Sequence, residues 1–234
     1  MCQLKSCLVL KERVYCPEYD SHQDMLDKLG IKDDYLGASK TFVRVELLPP
    51  DGMRSLMEPL DRWTLMVDQD VTPEWWDAEA DRPRVEKAVE AWRKEHVFAE
   101  GEHIVKAGEV YAFGNATVEA YGSVTVKALD SATVKAWGSA TVKAWDSATV
   151  TAHDSATVTA YDNTTVKAYN GATVKAYNGA TVKACDSATV KACGNATVEA
   201  YGSVMVKALD SATAIYPLEK KIVYPAGWTA ETHD

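Results

Sequence analysis

The chain lacks most of the features that would name a chemistry. No apolar run approaches the ~20 residues a membrane-spanning helix needs. In the opening stretch MCQLKSCLVLKERVYC, only Cys7–Leu10 is apolar without interruption. A secretory signal needs a longer apolar segment and a small-residue cleavage site. A cytoplasmic protein with no membrane contact is therefore expected. The 5 cysteines, Cys2, Cys7, Cys16, Cys185 and Cys193, are an odd number, unlike a secreted disulfide framework. The first three are spaced C-x4-C-x8-C without a CxxC pair, so they are expected to be small buried hydrophobes, not zinc ligands. Also missing are a phosphate-binding glycine loop, a dinucleotide fingerprint and a kinase motif set. No cofactor and no metal is expected.

Positive charge is also scarce. The 234 residues carry a formal net charge of −9, spread unevenly. Residues 1–114 hold 15 Lys and Arg against 23 Asp and Glu, a net of −8. Residues 115–210 hold 8 Lys and 8 acids, a net of zero, and the remaining tail contributes −1. The acidity belongs to the first half. The basic stripe that marks a nucleic-acid footprint is missing, so nucleic acid is not an expected partner.

What the chain has in abundance is a repeat. From Asn115 to Asp210 the sequence is 12 octads without an insertion: NATVEAYG, SVTVKALD, SATVKAWG, SATVKAWD, SATVTAHD, SATVTAYD, NTTVKAYN, GATVKAYN, GATVKACD, SATVKACG, NATVEAYG and SVMVKALD. A degenerate unit, AGEVYAFG, precedes them and a partial one, SATA, follows. Self-similarity at a fixed period is the mark of a solenoid. The second, fourth and sixth positions are almost always Ala or Val, while the third and fifth are Thr and Lys or Glu. This is the period-2 alternation of a half-buried strand. The eighth and first positions are Asp, Gly or Asn followed by Ser, Asn or Gly, which is turn chemistry. Each octad then reads as a short strand and a corner. A helix would not fit an 8-residue period rich in Thr, Val and Gly.

The small core residues favour a thin coil of two octads over a triangular coil of three. The near-identity of 115–130 and 195–210 agrees, since they differ only at Thr125 and Met205 and lie 80 residues apart, a multiple of 16 but not of 24. Six such coils predict a rod about 29 Å long at the ~4.8 Å strand spacing. Two outward columns follow from this register. One stacks Tyr121, Trp137, His153, Tyr169, Cys185 and Tyr201; the other stacks Leu129, Trp145, Tyr161, Tyr177, Cys193 and Leu209. Aromatic ladders stabilise stacked β structure, and aromatic residues also anchor interfaces, so Trp137, Trp145, His153, Tyr161, Tyr169 and Tyr177 are candidate binding residues. Beside them run lysines about 5 Å apart, whose mutual repulsion needs an offset.

Over residues 107–214 the chain resembles pentapeptide-repeat, RTX-type and insect ice-binding solenoids in general style. It departs from each. The GGxGxD spacing of calcium-binding RTX repeats is missing, and a lysine two residues from most of the threonines interrupts the flat TxT array of the ice binders. The rod is neutral, unlike the negative rods with which some pentapeptide-repeat proteins mimic DNA.

Residues 1–98 read differently. SCLVLKERVYCP predicts a strand hairpin, Ser21 a helix N-cap and Gly30 a helix stop over 22–29. TFVRVELL and RWTLMVDQD predict two strands, and Asp81 with Pro83 opens a helix whose stripe is Val85, Ala88, Val89, Trp92 and His96. The expected architecture is an α+β N-terminal domain (1–98), an all-β parallel β-solenoid with two strands per 16-residue coil (99–214), and a C-terminal cap (215–234) containing Trp228. The second helix and the tail are expected to cover the two ends of the stack, because open sheet edges invite pairing.

Three sets of residues could carry chemistry in the first domain. His22 follows Asp20 and Ser21, in a first helical turn where a histidine is expected to be exposed. Asp68 and Asp70 end a strand, and Trp75 and Trp76 follow in TPEWWD, where an aromatic pair beside carboxylates could hold a ligand or seal a junction. The leading expectation is a non-enzymatic binding or assembly protein. Its first domain recognises a protein partner, and its solenoid gives a rigid surface for a second contact or a homodimer. The combination resembles small proteins of bacteria and their phages, among which an inhibitor or adaptor would fit. The rival readings are an enzyme using Asp68, Asp70, His22 and Trp75, and an ice- or surface-binding protein using the threonine face.

Overall fold

The computed structural model describes residues 5–33, 41–217 and, as backbone, 221–223. The chain divides into two compact units, residues 1–97 and 98–234.

The first unit is built on a four-stranded antiparallel sheet, order β2-β1-β3-β4, with β1 Lys5–Leu10, β2 Val14–Tyr15, β3 Phe42–Leu48 and β4 Thr64–Val67. The helix α1, His22–Leu29, lies between β2 and β3, and α2, Ala78–His96, follows β4. The order is the β-β-α-β-β-α that the sequence predicts. Ser21 Oγ accepts from the Asp24 N–H, and Gly30 closes α1 at φ 66, where a side chain would be strained. The second helix begins earlier than Asp81. Asp77 is its N-cap, accepting from the Glu79 and Ala80 N–H groups, while the Asp81 carboxylate accepts from the Asp77 N–H. Pro83 therefore sits inside the helix, where it removes one intrahelical donor.

The central strands are buried on both faces: every residue of β1 but Leu10 is buried, and so are five of the seven residues of β3. Leu8 and Phe42 cluster with Met25 and Leu26 of α1. Lys5, of opposite parity on β1, lies 4.8 Å from the centre of the Trp92 ring on α2. Side chains alternate across a sheet, so the two helices cover opposite faces. Val85, Val89 and Trp92 of the expected stripe are buried.

The second unit is a parallel solenoid in which residue i pairs with residue i+16: Thr133 with Thr149, Val134 with Val150, Thr141 with Thr157, Val142 with Val158. Two sheets result, of nine and eight strands, and consecutive octads alternate between them. The stack has about 7 turns and spans residues 97–215. It begins earlier than the perfect octads: Glu109–Ala112 pairs with Thr125–Ala128 in the 16-residue register, and Glu102–Val105 pairs with Thr117–Ala120 one residue short of it, Glu102 opposite Thr117. Ala and Val at the second, fourth and sixth positions form one continuous buried core from Val110 to Ala212. Thr164, which replaces an alanine there, is fully buried and donates its hydroxyl to the Tyr161 carbonyl at 2.5 Å.

The corners explain the turn residues. The eighth residue of every octad has positive φ, as in Asp130, Asp146, Asp154, Asn170 and Gly138. Gly, Asn and Asp are the residues that tolerate this left-handed region. Gly114 is the most restricted corner: at φ +52, a Cβ would also lie 2.8 Å from the Ala99 carbonyl oxygen. The far end of the nine-stranded sheet receives an antiparallel strand, Lys221–Val223 beside Thr213–Tyr216. The rest of the expected cap, with Trp228, lies outside the described residues, as does Cys2. Among the described residues no helix is long and apolar enough to cross a membrane.

Candidate functional sites

Two surfaces concentrate chemistry, one on each unit. On the solenoid, the 16-residue register carries the seventh-position side chains into columns. Tyr121 stacks on Trp137 at 4.7 Å with planes 5° apart, Trp137 on His153 at 5.8 Å and 7°, and His153 on Tyr169 at 5.0 Å and 11°. On the opposite sheet Trp145 stacks on Tyr161 at 5.7 Å and 9°, and Tyr161 on Tyr177 at 5.2 Å and 13°. These separations follow from strand spacing, since parallel strands lie ~4.8 Å apart and each ring repeats once per coil. Stacking leaves all six candidate rings half-buried, each with an open edge. Cys185 and Cys193, both free and half-buried, replace the aromatic residue in adjacent octads on the two faces. Leu129, assigned by sequence to an outward column, is 1% exposed. It sits one coil from buried Phe113 and one coil from Trp145.

Among the described residues the ion pairs of the lysine columns lie at one end, and toward the other end Lys183 lies 4.8 Å from the centre of the Tyr201 ring. Lys127 reaches Glu109 at 2.6 Å and lies over the Tyr111 ring, and Lys135 reaches Glu119 at 3.0 Å. Hydrogen bonds from Lys135 and Tyr121 hold the Glu119 carboxyl below its usual range, and Glu119 in turn raises Lys135. Further along the eight-stranded sheet, Lys143, Lys175, Lys191 and Lys207 are exposed and form no ion pair among the described residues. This face thus combines a Trp145–Tyr161–Tyr177 ladder with unneutralised positive charge.

In the first unit the register of β3 and β4 sets the geometry. Glu46 pairs with Met66, and the Asp68 N–H donates to the Arg44 carbonyl, so Asp68 and Glu46 lie on one face as diagonal neighbours. Arg44 is directed elsewhere, to Asp33 at 2.5 Å. The helix α1 covers the same face and brings His22 to the carboxylates. Its Nδ1 lies 3.1 Å from Asp68 Oδ2, and its Nε2 donates to the Val45 carbonyl at 3.2 Å. His22 is 5% exposed and not solvated, because the first turn of α1 lies against β3. Ligand atoms of His22, Glu46 and Asp68 all lie within 4.8 Å of one another.

The other residues singled out by sequence do not join this cluster. Asp70 is exposed two residues beyond Asp68. Trp75 and Trp76 are half-buried in the turn before α2, where the Trp76 N–H donates to the Pro73 carbonyl. Glu46 was not recognisable in advance, since a glutamate within a strand reads as a solvent-facing position. A groove of about 740 Å³ between the β2 hairpin and α2 was also unforeseen; it is lined by Tyr15, Cys16, Tyr19, Lys28, Trp92 and His96. There Tyr15 and Tyr19 share a hydrogen bond at 3.1 Å, which pushes the Tyr19 hydroxyl up to about 12. Trp92 and His96 stack at 5.4 Å on the opposite wall.

Comparison with protein-family models, with curated proteins and with solved structures gave no match to the chain.

Proposed function

We propose that the chain is a non-enzymatic binding and assembly protein whose solenoid faces are its recognition surface. The observation that carries this reading is the Trp145–Tyr161–Tyr177 ladder beside the unpaired lysines 143, 175, 191 and 207. Aromatic rings held rigid by the register contribute contact area with little entropic cost on binding, and they are enriched among interface anchors. The adjacent lysines select an acidic protein surface and steer its approach. The groove between the hairpin and α2 offers the first unit a separate contact, with aromatic walls and a half-exposed Cys16. A second copy of the chain is one available acidic partner, because residues 1–114 carry a net charge of −8.

The test compares wild type with K143E/K175E/K191E and with W145A/Y161A/Y177A. Light scattering reads self-association, and capture from host lysate followed by mass spectrometry reads other partners. Both variants should lose the wild-type association while keeping the wild-type circular dichroism. Association and capture unchanged in both would show that the ladders only stabilise the stack, and the proposal would fail.

A further inference from the structure

We infer that His22, Glu46 and Asp68 form a binding site for one divalent transition-metal ion of the manganese, cobalt or zinc class. The imidazole is already set for ligation. Its Nε2–H is committed to the Val45 carbonyl, which leaves Nδ1 as the ring atom facing the carboxylates. A backbone or carboxylate acceptor on the remote ring nitrogen is the usual outer-shell arrangement of metal-ligating histidines. Nδ1 and Asp68 Oδ2 lie 3.1 Å apart, the separation of two atoms that ligate one ion.

Glu46 brings a second carboxylate to the same point. The residue is 8% exposed, its carboxylate lies within 4.8 Å of both other ligand atoms, and it has no hydrogen-bond or ion-pair partner among the described residues. Two carboxylates converging on one imidazole form an arrangement that a divalent ion satisfies. Neighbouring ligand atoms around a four-coordinate ion with bonds of ~2.0–2.1 Å are about 3.3 Å apart. The His22–Asp68 separation already meets this. Asp68, on an exposed strand end with 59% of its side chain accessible, supplies the movement that closes the rest. One imidazole nitrogen with carboxylate oxygens suits manganese, cobalt and zinc, and the absence of thiolate from the set disfavours soft ions. Three protein ligands leave coordination positions for water or for a partner's group.

The full-length chain, dialysed against chelator, should bind one equivalent of Mn²⁺ by electron paramagnetic resonance and one of Co²⁺ by visible absorption. E46Q and D68N should each weaken binding by at least about 10-fold, the scale on which metal sites respond to lost supporting groups. D70N, which lies outside the cluster, should leave it unchanged. D68N alters an exposed side chain and keeps the fold, so the test does not depend on H22Q being folded. Failure of stoichiometric binding at millimolar Mn²⁺ and Co²⁺ would overturn the site, as would affinity that survives both E46Q and D68N. A thiolate absorption band with Co²⁺ would place the ion on cysteine and equally overturn it. Association through the solenoid is read separately, so either proposal can fail alone.

Discussion

Lys5 is the residue whose environment departs furthest from expectation. It is fully buried, bonded to Asp20 at 2.6 Å and placed over the Trp92 ring. Removing one partner of a buried ion pair strands the other charge. Asp20→Ala should therefore cost about 3–5 kcal/mol in chemical denaturation, whereas Lys5→Met should cost less, because the Asp20 it strands keeps 34% of its side chain accessible and the Ser6 N–H as a partner. Cys7 behaves as its sequence context suggests. Burial, and then the neighbouring Cys16, push its thiol well above the usual range. A group held protonated by the fold contributes stability below its unfolded pKa of about 8.5 and loses it as pH rises toward the folded value. Unfolding free energy should therefore fall above about pH 8.5, and this alkaline slope should be smaller in Cys7→Ala. In the native protein iodoacetamide should label Cys16 before Cys7. At the corners, Asp154 sits at φ 58. Asp154→Val should cost about 1–2 kcal/mol through backbone strain, whereas Asp154→Gly should not destabilise by this route, a contrast that thermal melts resolve.

At the scale of the element, the octad is half a coil and the 16-residue coil is the unit of addition. Excising Ser147–Asp162 removes one strand from each sheet and leaves every later residue facing the same way. Such a variant should keep a single cooperative unfolding transition, with Tm lowered by a few degrees. Excising residues 147–158 instead shifts the octad by half, which keeps the alternation but puts Asp162 at a core position and Val166 at a corner, and cooperative melting by circular dichroism should be lost. In the first unit, the helix caps Ser21 and Gly30 and the alternation of β3 could be read directly, because each signal is local. The start of α2 could not. Asp77 and Asp81 are both competent caps, and only the bond from the Asp77 N–H to the Asp81 carboxylate shows that they act together across one turn.

Across the whole molecule, charge and repetition separate. The acidic residues concentrate in the first half, while octads 115–210 are neutral overall but place Lys143, Lys175, Lys191 and Lys207, none of them in an ion pair among the described residues, on the eight-stranded sheet. If that face mediates association, raising ionic strength from about 0.05 to 0.5 M should weaken it, because screening shortens the reach of exposed charge. Association insensitive to salt would assign the energy to the aromatic ladder alone, which W145A/Y161A/Y177A then tests.

The solenoid was legible in the sequence nearly to the residue. In a stack each strand meets only copies of itself one coil away, so period, parity and corner chemistry fix the register without long-range information. That is why Val142, Val150, Val158 and Val166 could be placed inside and Trp145, His153, Tyr161 and Tyr169 outside before any coordinates. The extra coil at Glu102–Val105 escaped this reading because its residues do not spell the octad. The His22, Glu46 and Asp68 cluster escaped it for a different reason. Its members span 46 residues of the chain, on a helix, a strand and the residue just after another strand. They meet only because antiparallel pairing puts Asp68 diagonal to Glu46 and because α1 packs on that face. Local pattern determines an element that pairs with itself; a site assembled from different elements is decided by tertiary packing.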